Sequence, residues 1–569
     1  MLQTPPPRPN TSPSFQVFTS LQPRLVNSPS PFCPSAWRNL LWEYPGDLGY
    51  LCEGVLTYGA QIGCQHPPTF RHSANHKIEA PDLISDKLVQ DLAIGRVQRY
   101  LGPAMVSPLG LVPKHDGGWR RIHDLSWPEG FSVNDSIPDE AVAIRYTSLE
   151  NIFDLVCQHG PGCYIIKRDI KEAFRNVPLA PSVRPLLAFE WEGTTYIECC
   201  LPFGLSTAPF IFNLFSEGLH WLLEAYLPFG SVAHYLDDFI TVVNASAGNL
   251  PSVIATFDNV YIPLTDMLGI PRNDSKDGAG TIVTVLGFEL DTDQLQARLP
   301  QEKLDRAIAT VSTLLQRNRV SQKALQQALG FLQHCSLVVR LGRARLQSTY
   351  AMLQSFSSRY ALRRLSHDAR EDLTWWKDTL PFFNGIHLFA PERPLIALYT
   401  DASDTGLGLF FFHTSSQDRA KDWRSAAPTL PLTQAAIIDA TLACGSAHIN
   451  VKEVSAILQA FLLFAPVWAH HKVFIFTDSS TAQYGLARNT LHGPSHRPLL
   501  KLLSIAAAFD ITFEPHWIST TENQLADALS RSDLPTLANL CPQWENFSAL
   551  NRLPGSPPSP PSSIRATPS

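Results

Sequence analysis

The spacing of apolar and polar positions changes along the chain, and each change predicts a different kind of structure. From about residue 80 to 295, short apolar runs alternate with turn signals and a few helical patterns, which predicts an α+β unit. Residues 298–364 are poor in strand formers, and Leu325, Leu329 and Leu332 share one face behind a capping Ser321, which predicts helices. From about residue 395, strand patterns at LIALYT, LGLFFF, VFIF and ITFEPHW alternate with helical ones and predict a second α/β domain ending near Arg531.

The length and the two ends set the outer limits of this organisation. The chain has 569 residues, which exceeds the roughly 250–300 at which a single core stops growing, so several domains are expected. Residues 1–45 and 534–569 are rich in Pro and Ser and are predicted to be disordered tails, with a lead-in segment over residues 46–80.

No stretch of the sequence predicts a membrane span or export. The most apolar stretch, residues 454–476, contains Pro466, two histidines and Lys472, so a helix followed by a strand is the better interpretation. The N-terminus lacks the features of a secretory signal, and the ten cysteines form no C-x-x-C pair. We therefore expect a soluble protein in an intracellular location, cytoplasmic, nuclear or both.

Two adjacent acids interrupt an apolar run at HYLDDFITVV, residues 234–243, which predicts a strand, a tight turn and a strand. A solvated hairpin turn would explain Asp237 and Asp238 alone, since Asp favours turns. A third acid, Asp169, ends the apolar run YIIKRD 68 residues earlier. Three carboxylates brought together repel one another unless divalent metal neutralises them. Two Mg²⁺ ions about 3.5–4 Å apart can clamp the attacking and leaving oxygens of a phosphoryl transfer, which is what a polymerase requires.

The segments KRDIKEAFRNVPL, LPFGLSTAPFIFN and YLDD resemble motifs A, B and C of retroelement reverse transcriptases in order and spacing, over about residues 106–290. The resemblance implies a right-hand polymerase with fingers and palm over residues 81–295, followed by a helical thumb and connection over residues 296–394. It also implies that Asp169, Asp237 and Asp238 are catalytic and bind two Mg²⁺ ions, with Mn²⁺ as an alternative.

The resemblance further implies residues that bind the incoming deoxynucleoside triphosphate. LVPKHDGGWRRIHD, residues 111–124, resembles the fingers hairpin, so Lys114 and Arg120 would meet the phosphates, as a point charge and a bidentate fork respectively. A solvated turn is the alternative, and it suits Lys114 better than Arg120, which follows Trp119. Phe174 would exclude a 2′-hydroxyl, and an ordinary core aromatic is the competing interpretation.

Two positions of motif B and one later hairpin complete this prediction. Phe203 stands where some retroviral enzymes have Gln, so a side-chain hydrogen bond to the nucleotide cannot be carried over. Gly204 would let the backbone approach the substrate closely. Leu286-Gly287-Phe288 lies in a hairpin-like segment that resembles the primer grip.

A second set of acids appears in the order D, E, D, D. Asp401 and Asp478 end strand patterns, Glu453 opens a helical pattern, and Asp527 lies in the helix-like NQLADALSR. This order resembles ribonuclease H over residues 395–533, a mixed-sheet domain whose four carboxylates bind two Mg²⁺ ions and activate water against the RNA strand of a hybrid. For Glu453 the alternative is a favourable contact with the helix dipole. His516 lies on the strand side of the loop where some relatives carry a mobile His, so it is left outside the catalytic set.

Two short motifs with other meanings are rejected. Asp404-Thr405-Gly406 spells the aspartic protease tripeptide, but a turn after the Asp401 strand is the better interpretation. His367 and Arg370 have the spacing of tyrosine recombinases, but they lie in a predicted helix between the thumb and the ribonuclease H match.

The sequence therefore predicts an enzyme that copies retroelement RNA into DNA and degrades the RNA strand of the hybrid. Its partners would be an RNA template, a DNA primer, the RNA–DNA hybrid and deoxynucleoside triphosphates. The alternative is a decayed or domesticated copy that binds nucleic acid without catalysis. Three segments resemble the DIRS group of tyrosine-recombinase retrotransposons more than long-terminal-repeat elements: SQKALQQALGFLQHCSLVVRLGRARL, LSHDAREDLTWWKDTL and HINVKEVSA.

The net charge of −6 offers no hint of a nucleic-acid partner. Residues 298–364, however, contain twelve Lys and Arg against two Asp and Glu, a local charge of +10. Phosphate binding depends on local basic surface, because each neutralised phosphate releases counterions. The distribution of charge therefore favours a nucleic-acid partner along the predicted thumb and connection.

Overall fold

The chain divides into two compact units, residues 1–296 and 297–569. The computed structural model describes residues 24–25, 27–65, 71–113, 118–139, 144, 146–358, 361–382, 384–388, 393–544 and 551–553. Each unit is described by itself below. Among these residues no helix is both long enough and apolar enough to cross a membrane.

The first unit mixes helices with several small antiparallel sheets, as the α+β pattern predicts. Its helices are α1 (Pro34–Leu40), α2 (Leu48–Tyr58), α3 (Pro81–Ala93), α4 (Leu149–His159), α5 (Ala208–Tyr226) and α6 (Leu250–Leu268). Its strands are β1 (Val97–Arg99), β2 (Leu109–Pro113), β3 (Trp119–His123), β4 (Tyr164–Asp169), β5 (Ala188–Trp191), β6 (Thr194–Glu198), β7 (Ser231–Tyr235), β8 (Asp238–Val243), β9 (Gly278–Gly280), β10 (Ile282–Val285) and β11 (Phe288–Asp291), and β12 (Gln296–Arg298) spans the boundary between the units.

A four-stranded sheet of order β7-β8-β4-β9 supports the first acid cluster. Strands β4 and β8 are antiparallel neighbours, and their register pairs Asp169 directly with Asp238. Helices α5 and α6 contribute Phe215 and Phe257 to the core that contains buried Phe239 of β8. Since the core fixes β4 and β8 from the same side, the paired acids are fixed with them.

Smaller sheets form the part of the unit predicted as fingers. Strands β1, β6 and β5 form one sheet, and β2 pairs with β3 as a hairpin, in agreement with the predicted fingers hairpin. The predicted hairpin around residues 286–288 is also present, because Val285 pairs with Phe288 across a two-residue turn. Leu286 and Gly287 both have positive φ there, +48° and +81°, as a type I′ turn requires.

The predicted N-terminal tail over residues 1–45 is wrong for its last part. Helix α1 begins at Pro34, and its Trp37 is completely buried and donates its indole N–H to the Leu268 carbonyl oxygen. Trp37 also meets Phe215 of α5 edge-on at 5.0 Å between ring centroids. This segment is rich in Pro and Ser, but its few large apolar residues pack against α5, and burying them stabilises the fold.

The second unit begins with helices and continues into one large sheet. Its helices are α7 (Gln301–Gln316), α8 (Gln322–Cys335), α9 (Gln347–Gln354), α10 (His367–Thr379), α11 (Gln417–Lys421), α12 (Trp423–Ala426), α13 (Ala440–Cys444), α14 (Ile449–Phe464), α15 (Ser480–Arg488), α16 (His496–Ala508), α17 (Gln524–Arg531) and α18 (Leu534–Leu540). Its strands are β13 (Val320–Ser321), β14 (Leu362–Arg363), β15 (Ile386–His387), β16 (Leu395–Ala402), β17 (Gly406–Thr414), β18 (Ala435–Asp439), β19 (Lys472–Thr477), β20 (Thr512–Trp517) and β21 (Asn551–Leu553).

The helical stretch forms as its pattern predicts. Ser321 caps α8 by accepting a hydrogen bond from the Ala324 N–H at 3.2 Å, and Leu325, Leu329 and Leu332 are buried on one face. The interpretation of His367 and Arg370 as parts of a helix is also confirmed, because both lie in α10.

The large sheet has the order β20-β19-β16-β17-β18-β21 and is mixed. Strands β16, β17 and β18 are antiparallel neighbours, whereas β19 is parallel to β16 and β20 is parallel to β19. This is the ribonuclease H-like mixed sheet that the sequence predicts. Strand β18 was not predicted, because its apolar AAIID run is short.

The predicted C-terminal tail over residues 534–569 is wrong for residues 534–544. Helix α18 buries Leu537, and Cys541 and Trp544 behind it are buried as well. The Trp544 indole N–H donates to the Leu430 carbonyl oxygen at 2.8 Å. A short helix follows the last predicted one, and burial of Leu537, Cys541 and Trp544 stabilises this segment in spite of its tail-like composition.

Candidate active sites

The first candidate site is the turn of the β7–β8 hairpin together with the end of β4. Leu236 has φ +54°, which lets the two strands turn tightly and places Asp237 beside the Asp169–Asp238 pair. The Ile170 N–H donates to the Asp237 carbonyl oxygen at 3.1 Å, so the two chain segments are joined there. Antiparallel partners have Cα atoms about 4.5–5.5 Å apart, so this turn brings three carboxylates together.

The electrostatics of this cluster call for cations. Burial raises the pKa of Asp237 to about 6, and repulsion from Asp169 and Asp238 adds to the shift. Burial also raises the pKa of Asp238. Two lysines neutralise part of the charge: Lys276 Nζ lies 3.2 Å from Asp169 Oδ1, and Lys167 Nζ lies 3.1 Å from Asp238 Oδ1. An oxygen-only donor set with excess negative charge fits Mg²⁺ or Mn²⁺.

Asn273 is a further residue that sequence reasoning missed, as it missed both lysines. Its Nδ2 donates to Asp169 Oδ2 at 2.7 Å, and its backbone N–H donates to the Asp169 carbonyl oxygen at 3.0 Å. Both oxygens of the Asp169 carboxylate are therefore held, one by Asn273 and the other by Lys276. The signal that could have found them is the polar run RNDSK just before the glycine-rich strand β9.

The predicted nucleotide-binding residues converge in part. Arg120 of β3 stacks its guanidinium on the Phe203 ring at 4.7 Å, and Phe203 meets Phe174 at 5.4 Å between ring centroids. Phe174 is half-buried and also contacts Phe212 of α5 at 5.8 Å, so core packing orients it. Lys114 lies outside the described residues.

Gly204 makes its close approach to the fingers hairpin. It has φ +114°, and a Cβ added there would lie 1.9 Å from the His123 carbonyl oxygen. The Asn134 side chain donates to the Gly204 carbonyl oxygen at 2.9 Å, and the His123 N–H donates to the Phe203 carbonyl oxygen at 3.1 Å. The close contact with His123 of β3 therefore requires glycine at position 204, independently of any role of Gly204 toward substrate.

Four buried charges that the sequence did not reveal join α3, β3 and β6 to the segment that follows β4. Arg121 lies 3.1 Å from both Asp91 and Glu198, and Arg175 lies 2.7 Å from Glu198. Burial alone would raise the pKa of Glu198, but the two arginines, Arg175 first, hold it below its usual range. Each charge has partners of opposite sign, which is the condition under which buried charge is tolerated.

The second candidate site lies at one edge of the large sheet. Strands β16 and β19 are parallel and in register, so Asp401 at the end of β16 and Asp478 just after β19 meet at the same edge. Asp401, Glu453 and Asp478 each offer an oxygen within 4.8 Å of the other two. Asp527 follows on α17, where its Oδ1 is ion-paired with Arg531 at 2.6 Å. All four predicted carboxylates therefore belong to elements at this edge.

Glu453 lies in the second turn of α14 and is 7% exposed, so the alternative of a surface contact with the helix dipole does not account for it. Its Oε2 is buried and has no hydrogen-bond partner among the described residues. Burial raises the pKa of Glu453 to about 9, with repulsion from Asp401 and Asp478 adding to the shift. A buried carboxylate oxygen with no donor, beside two other carboxylates, fits a divalent cation.

Hydroxyl groups orient the acids of this cluster. Ser530 Oγ donates to Asp401 Oδ2 at 2.6 Å, and Thr520 Oγ1 donates to Asp478 Oδ2 at 2.8 Å. Burial raises the pKa of Asp401 to about 6, although the hydrogen bond from Ser530 lowers it. Sequence reasoning missed both hydroxyls, although the Ser lies in the quoted run NQLADALSR.

His516 and Asp404, which were left outside the predicted site, make their contacts with residues other than its carboxylates. The His516 ring stacks on Phe476, and its Nε2 lies 3.1 Å from Glu514 Oε1. Asp404 lies in the turn between β16 and β17, where Ser403 Oγ accepts from the Gly406 N–H at 2.9 Å. The turn interpretation of Asp404-Thr405-Gly406 is confirmed.

A basic cleft of about 1010 Å³ opens between the α9–α10 segment and the start of α16. Its lining includes Arg345, Arg363, Arg364, Arg497 and Lys501. The lining carboxylates are partly neutralised within the wall, since Arg497 pairs with Asp368 at 3.0 Å and Arg345 lies 3.5 Å from Asp372. The cleft thus offers a surplus of positive charge.

Comparison with known proteins supports the first site most directly. Residues 112–261 match the family model described as reverse transcriptase (RNA-dependent DNA polymerase). The Gag-Pro-Pol polyprotein of human T-cell leukemia virus 2 is 24% identical over 189 residues, 32% of this chain and 12% of that protein. The Gag-Pro-Pol polyprotein of Mason-Pfizer monkey virus is 22% identical over 379 residues, 64% of this chain and 20% of that protein.

Solved structures of foamy viral protease-reverse transcriptase are also similar. One, in complex with an RNA/DNA hybrid, has a TM-score of 0.47 at 17% identity and covers 80% of this chain and 56% of that chain. Another, in complex with double-stranded DNA, has a TM-score of 0.46 at 16% identity and covers 85% of this chain and 81% of that chain. The chain spans between a tenth and a fifth of the length of the curated viral polyproteins. The family match encloses Asp169, Asp237 and Asp238, and the chain therefore carries a reverse transcriptase domain of the retroelement and retroviral type.

Proposed function

We propose that this chain is an RNA-directed DNA polymerase that also degrades the RNA strand of the hybrid it makes. The observation that carries the proposal is the pairing of Asp169 with Asp238, beside Asp237, inside the segment that matches reverse transcriptases. The four carboxylates at the edge of the second unit's sheet support the ribonuclease half.

In the polymerase site, Asp169, Asp237 and Asp238 hold two divalent cations, for which we propose Mg²⁺. When bound, these ions activate the attacking hydroxyl of the DNA primer and neutralise charge on the leaving group. Lys167 and Lys276 balance part of the carboxylate charge in the metal-free chain. Because these lysines lie beside the site, they limit its net negative charge when an anionic triphosphate arrives.

The incoming deoxynucleoside triphosphate meets the fingers. Arg120, held over the Phe203 ring, presents its guanidinium fork to the phosphates, and Lys114 provides a second cation. Phe174 lies beside Phe203 and blocks a 2′-hydroxyl, which selects deoxynucleotides. The aromatic contacts restrict both rings, so the selectivity needs little further ordering when substrate binds.

In the ribonuclease site, Asp401, Glu453, Asp478 and Asp527 would hold two divalent cations, which would supply an activated water. Glu453 binds as the carboxylate, so it loses a proton when a cation occupies the site near neutral pH.

The basic cleft near α16 and the cationic α7–α9 segment contact the phosphate backbone of the template, primer and hybrid. Lys and Arg side chains that neutralise phosphates release counterions, so binding weakens as salt rises. We expect hybrid binding by the full chain to fall steeply with salt in spite of the acidic total charge.

The test is primer extension on an RNA template with deoxynucleoside triphosphates and Mg²⁺. Asp237→Asn is the matched control, because it removes one charge and keeps the side-chain shape. Extension that does not exceed this control would overturn the polymerase proposal and leave the alternative of a non-catalytic nucleic-acid-binding copy. Loss of hybrid cleavage in Asp478→Asn with extension retained would separate the two sites.

We also propose that the chain comes from an element of the DIRS group. The amino-acid sequences of the predicted thumb segment and of HINVKEVSA, which contains Glu453, support this assignment. Sequencing the DNA around the gene tests it, since a neighbouring tyrosine recombinase frame is expected and an integrase frame between long terminal repeats would contradict it.

A further inference from the structure

The turn that follows β20 contains no histidine, yet it is tightly built. Ser519 donates from both its N–H and its hydroxyl to Glu522 Oε2, at 2.9 and 2.6 Å. The Thr521 and Ser519 hydroxyls lie 2.9 Å apart. These bonds within the turn fix its shape before any substrate or cation binds.

Two donors at this turn reach the same acid. Thr520 Oγ1 donates to Asp478 Oδ2 at 2.8 Å, and the Trp517 indole N–H donates to the Asp478 carbonyl oxygen at 2.9 Å. Asp478 is the first residue after β19, where the regular ladder ends, so the sheet itself does not fix its side chain. The turn therefore supplies bonds to both the side chain and the main chain of Asp478.

We propose that Thr520 and Trp517 are positioning residues that hold Asp478 in the orientation needed to bind a divalent cation with Asp401 and Glu453. This inference rests on the proposed ribonuclease activity. The Thr520 hydroxyl restricts the rotation of the Asp478 carboxylate, which offers an oxygen within 4.8 Å of oxygens of Asp401 and Glu453. Losing such an outer bond to a metal-binding group typically weakens metal binding by about 10–100-fold.

The turn provides its own matched control. Thr521→Val removes a neighbouring hydroxyl that bonds to Ser519 and, within the described part of the chain, forms no hydrogen bond with Asp478. Thr520→Val removes the hydroxyl that reaches Asp478, and Thr520→Ser restores it. Trp517→Phe removes the indole N–H and keeps an aromatic ring.

The experiment is a calorimetric Mg²⁺ titration of the full chain carrying Asp237→Asn and Asp238→Asn, so that binding reports the ribonuclease cluster. Asp478→Asn defines the background in the same chain. We expect Thr520→Val to weaken Mg²⁺ binding by about 10–100-fold, with Thr520→Ser and Thr521→Val close to the parent and Trp517→Phe intermediate. Hybrid cleavage by these chains should need correspondingly more Mg²⁺, with KM for the hybrid unchanged.

The outcomes separate this inference from the proposed function. If the parent shows no Mg²⁺ binding beyond the Asp478→Asn background, the ribonuclease proposal itself is overturned. If the parent binds and Thr520→Val binds equally well, only the positioning role is overturned. Melting temperatures in chelator identify any variant that loses its fold. If Thr520→Val does not fold, the test rests on Trp517→Phe and Thr520→Ser. Mg²⁺ binding equal to the parent in Trp517→Phe, or no Mg²⁺ binding in Thr520→Ser, would then count against the proposal.

Discussion

Gly408 of β17 offers a way to disturb the ribonuclease site without touching an acid. It pairs in register with Asp401, and α17 crosses directly over it. A Cβ at Gly408 would lie 2.4 Å from both the Ala526 carbonyl oxygen and the Ser530 backbone nitrogen. These are backbone atoms of the helix that carries Asp527, so no side-chain rotation can relieve the contact.

The size of the effect follows from these distances. Ordinary contacts between heavy atoms need about 3.5 Å, so Gly408→Ala forces α17 back by about 1 Å. The Ser530 hydroxyl would then lie about 3.6 Å from Asp401 Oδ2, which is too far for a hydrogen bond. Misplacement of a catalytic group by about 1 Å costs about 10²-fold in rate. The overpacking itself should cost about 1–3 kcal/mol of unfolding free energy.

The assay compares hybrid cleavage with primer extension in the same preparation of the full chain. We expect cleavage to fall about 100-fold and extension to stay near the parent level, because Gly408 belongs to the second unit. Gly330→Ala is the matched control, since an added methyl there meets nothing within 4 Å. Cleavage by Gly408→Ala equal to that of Gly330→Ala would refute the reasoning that contact between α17 and β17 sets the site's geometry.

Three further changes test other parts of the structure. Glu198→Gln leaves Arg121 and Arg175 with Asp91 as their remaining carboxylate partner and should lower the unfolding free energy in urea by about 3–5 kcal/mol. Since these arginines hold the Glu198 pKa below its usual range, the loss should shrink as pH falls below that range, and an unchanged loss there would contradict this account. Trp37→Ala should cost about 3–5 kcal/mol in the same measurement, and no loss would show that α1 is not part of the first unit's core. Glu453→Gln should raise the melting temperature in chelator at pH 8, because a folded-state pKa raised to about 9 gives stability that is present at low pH and lost as pH rises toward 9; a lower melting temperature would count against a buried, uncompensated carboxylate.

The elements that the sequence predicted best are those with strong local signals. The β7–β8 hairpin follows from an apolar run broken by Asp237 and Asp238, and α8 follows from its cap at Ser321 and a leucine stripe. The mixed sheet could be expected because strand patterns with helices between them favour parallel neighbours. In each case the residues that determine the element lie within the element itself.

What the sequence could not reveal depends on contacts between distant segments. Lys276 reaches Asp169 across 107 residues, and Arg121 reaches Glu198 across 77. A charged residue is expected at the protein surface unless its partner is known, so the local sequence did not indicate these ion pairs. Trp37 was missed because the segment around it is rich in Pro and Ser, and this composition concealed one fully buried side chain on α1.

The two acid clusters differ in how the chain itself balances their charge. Lys167 and Lys276 each pair with a carboxylate of the polymerase cluster. Within the described part of the chain, no Lys or Arg forms an ion pair with Asp401, Glu453 or Asp478, and neutral hydroxyls hold two of these acids instead. A hydroxyl orients a carboxylate without cancelling its charge, so repulsion among these three remains until a cation binds or a proton is taken up. The ribonuclease cluster should therefore gain more stability from added Mg²⁺ than the polymerase cluster, and its gain should grow as pH rises and Glu453 loses its proton.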